Sequence, residues 1–565
     1  MIQAKTVKQT QSELIIQLRS CMYIMNADVV EQKQNLLNEL SHFIIDDLTD
    51  LQLYHDTLLY LLAYSQNEKL HEQTKRNINH LTKSLEKFSL NATEEKKWKL
   101  LKSGMAFTEV RSCFSYTITK WLWNYFKSTV SYYSSESDFE TIKSVFRQLL
   151  PVGVCEKYFE EDYSLEKLAH SISTDKKIDV LKWVLTQFEN EFVTEKTREQ
   201  LFDLLKIYVC WKHDSKSPCR TNARGISKNI SFQNNQPIFK EVDLKKEVAG
   251  KKFKKVKLDF QSKENLTSSA RGILCSLYRE TDPVTYASIN ETELFELDRG
   301  VSVALFYMRP SFRLPLESYV GYMAYRNNIP IAYGGGWVFQ QRARFGINVL
   351  PSFRGGESAF IFSQLIKLYH HHLGVNYFNI EPYQIGQKNP DGIKSGAFWF
   401  YYRMGFRPLQ KDLAQIAEEE FIKIKSNKLH RTEKKILIKL ANSELIINFS
   451  KKTLNHLSPN DIVKELQMHV SKAHEGNFNA YSILSKQKIL KQFKQEKIKF
   501  HDSSNTQLIS ELCMYFNFFS KDKHIKKSEL KIISKMIEAK SSGVEFDFIQ
   551  LLQKEKQLFK IKKTK

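Results

Sequence analysis

The residues best placed to do chemistry lie between Tyr319 and Leu409 of the 565-residue chain. The run Pro351-Ser352-Phe353-Arg354-Gly355-Gly356-Glu357-Ser358-Ala359 follows a strand pattern, Arg344 to Leu350, and precedes helical spacing at Ile361, Leu365 and Leu368. A strand that turns through Arg-Gly-Gly into a helix can hold an anion. Backbone N–H groups converge there, and the helix dipole adds positive potential. Arg354 would contribute a fixed multidentate charge, and Gly355 and Gly356 would let the backbone come close. A pyrophosphate is the natural ligand for such a turn.

Two further residues fit proton transfer. Glu381 ends a strand pattern from Val375, just before Pro382 and Tyr383. A carboxylate there can take a proton directly or through water. Tyr401 lies in the helical run Ser395 to Met404, and a phenol of ordinary pKa about 10 holds a donatable proton at neutral pH. Each residue has a plainer reading. Trp399, Phe400 and Tyr402 make Tyr401 look like a packing residue, Glu381 could be surface charge, and Glu357 could cap the following helix.

The run Ala397, Phe400, Tyr401, Gly405, Phe406 resembles, in full spacing, the Ala-x-x-Phe-Tyr-x-x-x-Gly-Phe motif of the GNAT superfamily of acyl-CoA N-acyltransferases. The Arg354–Ala359 turn resembles that family's Arg/Gln-x-x-Gly-x-Gly/Ala motif, with Glu357 where a glycine is expected and Gly356 beside it. Lys394 stands where the family often has Asn. The resemblance covers residues 263 to about 410. It implies a GNAT fold and acyl-CoA as co-substrate, acetyl-CoA first. Pyrophosphate would sit at Leu350, Arg354, Gly355, Gly356, Glu357, Ser358 and Ala359, with the pantetheine arm along the strand before them. Tyr401 would be the acid that protonates the leaving thiolate, and Glu381 the base. The Glu357 and Lys394 departures keep open a catalytically inactive sensor of acyl-CoA or a scaffold. The net charge of +22 keeps open an aminoacyl-tRNA-dependent transferase, although nucleic acid is weakly supported. The amine acceptor and the acyl chain length are not encoded in any legible motif.

Around this segment the chain reads as helices. Residues 1–215 form an expected all-α domain with a wide apolar face at Leu51, Tyr54, Leu58, Leu59, Leu61 and Leu62, and an aromatic stripe at Trp121, Trp123, Tyr125 and Phe126. Residues 216–262 read as a basic linker, and Lys251 to Lys257 as a polyanion contact with one aromatic or, more plainly, a solvated run or an edge strand guarded by lysines. Residues 263–410 hold an α/β or α+β unit around a mixed sheet, with a hairpin at Asn327-Asn328 and a glycine run, Gly334-Gly335-Gly336, that signals a bulge or close backbone approach. Residues 411–565 return to Lys-rich helices; Ser458-Pro459-Asn460-Asp461 is a helix start, and the tail from Lys554 is basic.

The remaining signals exclude more than they assign. Seven scattered cysteines suit a reducing compartment, and the N-terminus lacks a signal-peptide core, so a cytoplasmic address is expected. No run approaches the roughly 18 apolar residues of a membrane span. His370-His371-His372 point in different directions on a helix, and Cys210, His213 and Cys219 lack a fourth ligand, so no metal is expected. Phosphate-loop and Gly-x-Ser-x-Gly motifs are absent.

Overall fold

A computed structural model describes residues 10–175, 177–233, 242–250, 253–354, 356–450, 458–500, 505–520 and 524–555. Gly355, Lys251, Lys252 and the tail beyond Glu555 lie outside the described residues. The chain forms N- and C-terminal helical regions on either side of a central mixed sheet.

The N-terminal region is mostly helical, with one departure from the all-α expectation. Strands β1 (Glu109–Cys113), β2 (Val130–Ser135) and β3 (Ile207–Lys212) form an antiparallel sheet in the order β1-β3-β2. Their sequences are rich in Val, Ile, Tyr and Trp, which favour strands as readily as they fill a helical core. The sheet and its helices bury a core of their own, with Trp121 and Trp211 edge to face at 6.1 Å. By contrast, Leu14 to Phe88 share one continuous core with the central sheet.

Among the described residues the central sheet has nine strands: β4 (Lys254–Val256), β5 (Glu293–Glu296), β6 (Val301–Phe306), β7 (Ser318–Arg326), β8 (Ile329–Phe339), β9 (Arg342–Val349), β10 (Tyr377–Ile380), β11 (Arg407–Pro408) and β12 (Leu445–Asn448). Their order is β11-β12-β10-β9-β8-β7-β6-β5-β4. The sheet therefore reaches beyond residues 263–410 in both directions. Its outer strand β4 comes from the basic stretch, where Lys254 and Lys255 guard the edge as lysines do. Strand β12 comes from beyond residue 410 and is inserted next to β10.

Asn327 and Asn328 adopt φ of +45° and +65° at the β7–β8 turn, which matches the right-handed twist of a tight hairpin. The glycine run makes close approaches rather than a bulge. A Cβ on Gly336 would lie 2.8 Å from the Tyr369 ring, so glycine lets the helix Ser358–His372 settle on the sheet. Tyr369 then donates its phenol proton to the Val320 carbonyl (2.7 Å), and its ring meets that of Phe345 edge to face at 4.8 Å. Burying each such aromatic is worth about 1.5–3 kcal/mol.

Both flanking regions are tied to the sheet by buried polar contacts. From the N-terminal side, the Asn327 side chain donates to the Ala63 carbonyl (3.0 Å), at the end of the helix Leu48–Ala63. From the C-terminal side, Arg313 donates to the carbonyls of Ala539 (3.0 Å), Lys540 (3.1 Å) and Gly543 (2.9 Å), satisfying the end of the helix Lys527–Ser541. The Lys540 ammonium donates to the Glu317 carbonyl at 2.9 Å.

Candidate functional site

The strand–turn–helix lies where the residue pattern put it. Strand β9 ends at Val349, Leu350 is buried and extended, a short 3-10 turn covers Pro351–Phe353, and the helix begins at Ser358. Arg354 is exposed, and its Nε donates to the Val349 carbonyl at 3.3 Å. The backbone N–H of Gly356 is bonded to the Phe353 carbonyl (3.2 Å) and that of Ser358 to the Gly356 carbonyl (2.9 Å). Two of the amides expected to face an anion are thus held by the turn itself.

Glu357 behaves differently from either expectation. It is fully buried, and its carboxylate neither caps the helix nor faces solvent. One oxygen accepts from Arg326 (2.7 Å), the other from Arg299 (2.9 Å). Arg326 is itself buried, donates to Gln233 (2.7 Å), and lays its guanidinium over the Tyr64 ring at 4.2 Å. A carboxylate inside the protein is stable only when paired, and two arginines overcompensate its charge. The site resembles an anion site already filled by the chain's own carboxylate. The neighbouring helix adds a second tie: Ser352 donates to Asp56 (2.8 Å) and accepts from Arg220 (2.7 Å).

Beyond the turn, β9 and β10 form the one parallel pair in the described sheet, and only Arg342 to Arg344 pair with Tyr377 to Asn379. After Arg344 the ladder with β10 stops while β9 continues five residues to Val349, still paired to β8. Into the start of that gap reaches Gln384, from the 3-10 turn Pro382–Ile385. Its Nε2 donates to the Phe345 carbonyl (3.2 Å), and its Oε1 accepts from the Tyr401 phenol (3.3 Å).

Tyr401 sits on the helix Ala397–Arg403 with its ring against Phe362 and Phe406, at 5.5 and 5.9 Å. It is buried, and burial pushes its phenol above the ordinary value. Glu381 occupies a different place. With Glu317, Arg342, Arg344, Glu444 and Trp337 it lines a cleft of about 250 Å³, closed on one side by Ser458–Asp461 at the start of the helix Pro459–Ala473. Arg344 bridges Glu381 (2.9 Å) and Glu317 (3.2 Å) and lies 5.2 Å from the Trp337 ring centre. Arg342 pairs with Glu444 at 3.4 Å and donates to Asn379 at 3.1 Å. Burial raises the Glu317 carboxyl, against the pull of Arg344 and Arg342.

Arg354 and Tyr401 are not part of the lining of this cleft. The helix Ser358–His372 packs over Gly336 and Phe345, while the cleft side chains alternate with these along β8 and β9 and so belong to the other face. Arg342 and Arg344 carried a legible signal, since residues two apart on a strand share a face. Glu317, Glu444 and Gln384 carried none, because each comes from a loop whose position is set by packing.

The three adjacent histidines diverge. His370 reaches the Val375 carbonyl, His371 the Val248 carbonyl and His372 the Glu293 carboxylate, each at 2.7 Å. His213 is buried, and burial lowers its imidazole to about 4. Among the described residues no group of His, Cys, Asp or Glu could hold a metal ion, and no helix is long and apolar enough to cross a membrane. Comparison with protein-family models, curated proteins and solved structures returned no match for this chain.

Proposed function

We propose that the central unit is a GNAT-like acyl-CoA N-acyltransferase domain that moves an acyl group, acetyl first, from acyl-CoA to an amine. One observation carries this reading. Strand β9 separates from its parallel neighbour β10 after Arg344 and then runs into the turn that displays Arg354. An extended pantetheine arm can lie along the edge that β10 leaves, with its pyrophosphate at Arg354. The Ala397–Phe406 spacing adds the motif resemblance.

In the proposed reaction the neutral amine attacks the thioester carbonyl. A C–N bond forms, the C–S bond breaks, and the thiolate leaves. In this reading Glu381 takes the proton from the attacking nitrogen on the cleft side, and Tyr401, which packs on the helix side, gives one to sulfur across the opening between β9 and β10. Burial raises the phenol of Tyr401, so it is protonated at neutral pH and its proton is on hand when the C–S bond breaks. The cleft around Glu381, between the sheet and the C-terminal helical region, is where an amine acceptor would enter. Seven free cysteines suit a reducing, cytoplasmic setting.

A second reading is favoured by Glu357. With its carboxylate on Arg326 and Arg299, the turn supports a domain that binds acyl-CoA, or scaffolds partners, without turning it over. Thermal denaturation with acetyl-CoA decides first. The transferase and sensor readings both require stabilisation by millimolar cofactor, reduced in Arg354→Ala. Absence of any stabilisation sinks both. Thiol release across an amine panel supports the enzyme, and stabilisation without release supports the sensor. Tight tRNA binding with a steep salt dependence would instead support transfer from aminoacyl-tRNA.

A further inference from the structure

We infer that Gln384 is a gate: its carboxamide stands in for an amide of the acyl-CoA arm and must leave before that arm can lie along β9. The inference rests on the acyl-CoA reading and adds a device that regulates access to the same slot.

Phe345 is the first residue of β9 beyond the parallel ladder, and its carbonyl faces the gap. Tyr401 brings its phenol to the other side. Both residues are buried, at 0% and 4% exposure, so each polar group needs a partner inside the protein. One carboxamide serves both, donating through Nε2 to the carbonyl and accepting through Oε1 from the phenol. A secondary amide has the same pairing capacity. As the arm docks, its N–H can go to Phe345 and its C=O can accept from Tyr401; the one phenol proton turns from that carbonyl to sulfur only when the C–S bond breaks.

The room for Gln384 is made by the next residue of the strand. A Cβ on Gly346 would stand 2.8 Å from Nε2 and 3.3 Å from Cδ and Oε1. Glycine at this position keeps one amide-sized space beside β9. The side chain filling it comes from a short 3-10 turn rather than from the strand or the helix. Its neighbour Tyr383 is 62% exposed, so the turn lies at the surface and offers the side chain a route out. A ligand arm must therefore displace two hydrogen bonds before making its own, which lowers its apparent affinity by the fraction of molecules whose gate is closed.

Isothermal titration of the full chain tests this with two ligands: acetyl-CoA, and adenosine 3′,5′-bisphosphate, which lacks the arm. Gln384→Ala is expected to tighten acetyl-CoA by about tenfold, leaving the bisphosphate within about twofold. Gln384→Asn, one methylene too short to span both partners, is expected to move acetyl-CoA affinity in the same direction by less. It also serves as the folded reference if the alanine variant is unstable. Equal acetyl-CoA affinity in wild type and variants overturns the gate and leaves the acyl-CoA reading standing. Equal tightening of both ligands overturns it too, because the effect would not depend on the arm. Failure of every chain to bind acetyl-CoA at millimolar concentration overturns the acyl-CoA reading and the gate with it.

Discussion

The turn before the helix Ser358–His372 and the cleft around Glu381 are both built from glutamates and arginines, yet they treat charge in opposite ways. At the turn, Glu357 and Arg326 are fully buried, and the Arg326 guanidinium lies under Tyr64, the residue that follows the helix Leu48–Ala63. In the cleft, Glu381 and Arg344 keep 36% and 29% of their side-chain surface open, and four further charged groups share the space. A closed pair fixes architecture, because neither partner can leave without stranding the other. An open network can exchange one partner for a ligand at low cost. The buried pair therefore ties the turn to the N-terminal helices, and the open cleft is the place to test for the proposed amine acceptor.

Of the substitutions considered, replacing Glu357 should destabilise the protein most. Glu357→Ala strands two guanidinium groups, one wholly buried, and should destabilise the protein by about 3–5 kcal/mol. Denaturant melts followed by circular dichroism measure it, and a loss under about 1 kcal/mol would mean the pair is not closed. Next in size is Glu381→Gln. If the cleft is catalytic, turnover with an accepted amine should fall by about 100-fold, or about 2.7 kcal/mol, with acetyl-CoA affinity unchanged. A variant with full turnover would remove Glu381 as the base and move the search to Glu317 and Glu444.

Local signals in the sequence predicted the elements of the central unit better than the contacts between them. The Asn327-Asn328 turn, the strand before Leu350 and the helix over Ala397–Arg403 were legible because turn chemistry and periodicity act over a few residues. Strand β12 was not, because Leu445–Asn448 is four residues long and its place beside β10 is decided by tertiary pairing. The β1-β3-β2 sheet escaped for a related reason: its aromatic residues suit a strand or a helical core equally. At the turn, the residue pattern put Arg354 and Glu357 between a strand and a helix but could not tell that Glu357 faces Arg299 and Arg326, which lie 58 and 31 residues earlier in the chain. Glu381 and Tyr401 were proposed from separate local signals. That they occupy separate places, with Gln384 on Tyr401 and Arg344 on Glu381, depends on how β9 and β10 separate.

Arg344→Ala tests whether the charge network of the cleft is open. Its partners are part-exposed, so water replaces it and the loss should stay within about 1 kcal/mol. The informative readout is binding: with Glu381 and Glu317 freed, a cationic amine should bind the cleft more tightly, as fluorescence of Trp337 would report. A loss as large as that of Glu357→Ala would make the cleft a second closed site.

The smallest effect is a pH dependence at Glu317. Burial raises its carboxyl in the folded chain, so the folded state holds the proton to higher pH than the unfolded state does. Below the unfolded carboxyl's pKa both states are protonated and the contribution is fully present. As pH rises through the raised folded value, the unfolded chain has already released its proton, and that stabilisation is lost. Gln cannot ionise, so Glu317→Gln should gain stability relative to wild type on going from pH 4 to pH 7. The part of the wild-type charge that Arg344 neutralises, at 3.2 Å, limits the gain. The measurement is a pair of urea melts for each chain at the two pH values. A difference of opposite sign would mean that Arg344 outweighs burial and that Glu317 is held as a carboxylate, which would make the cleft's charge network tighter than its exposure suggests.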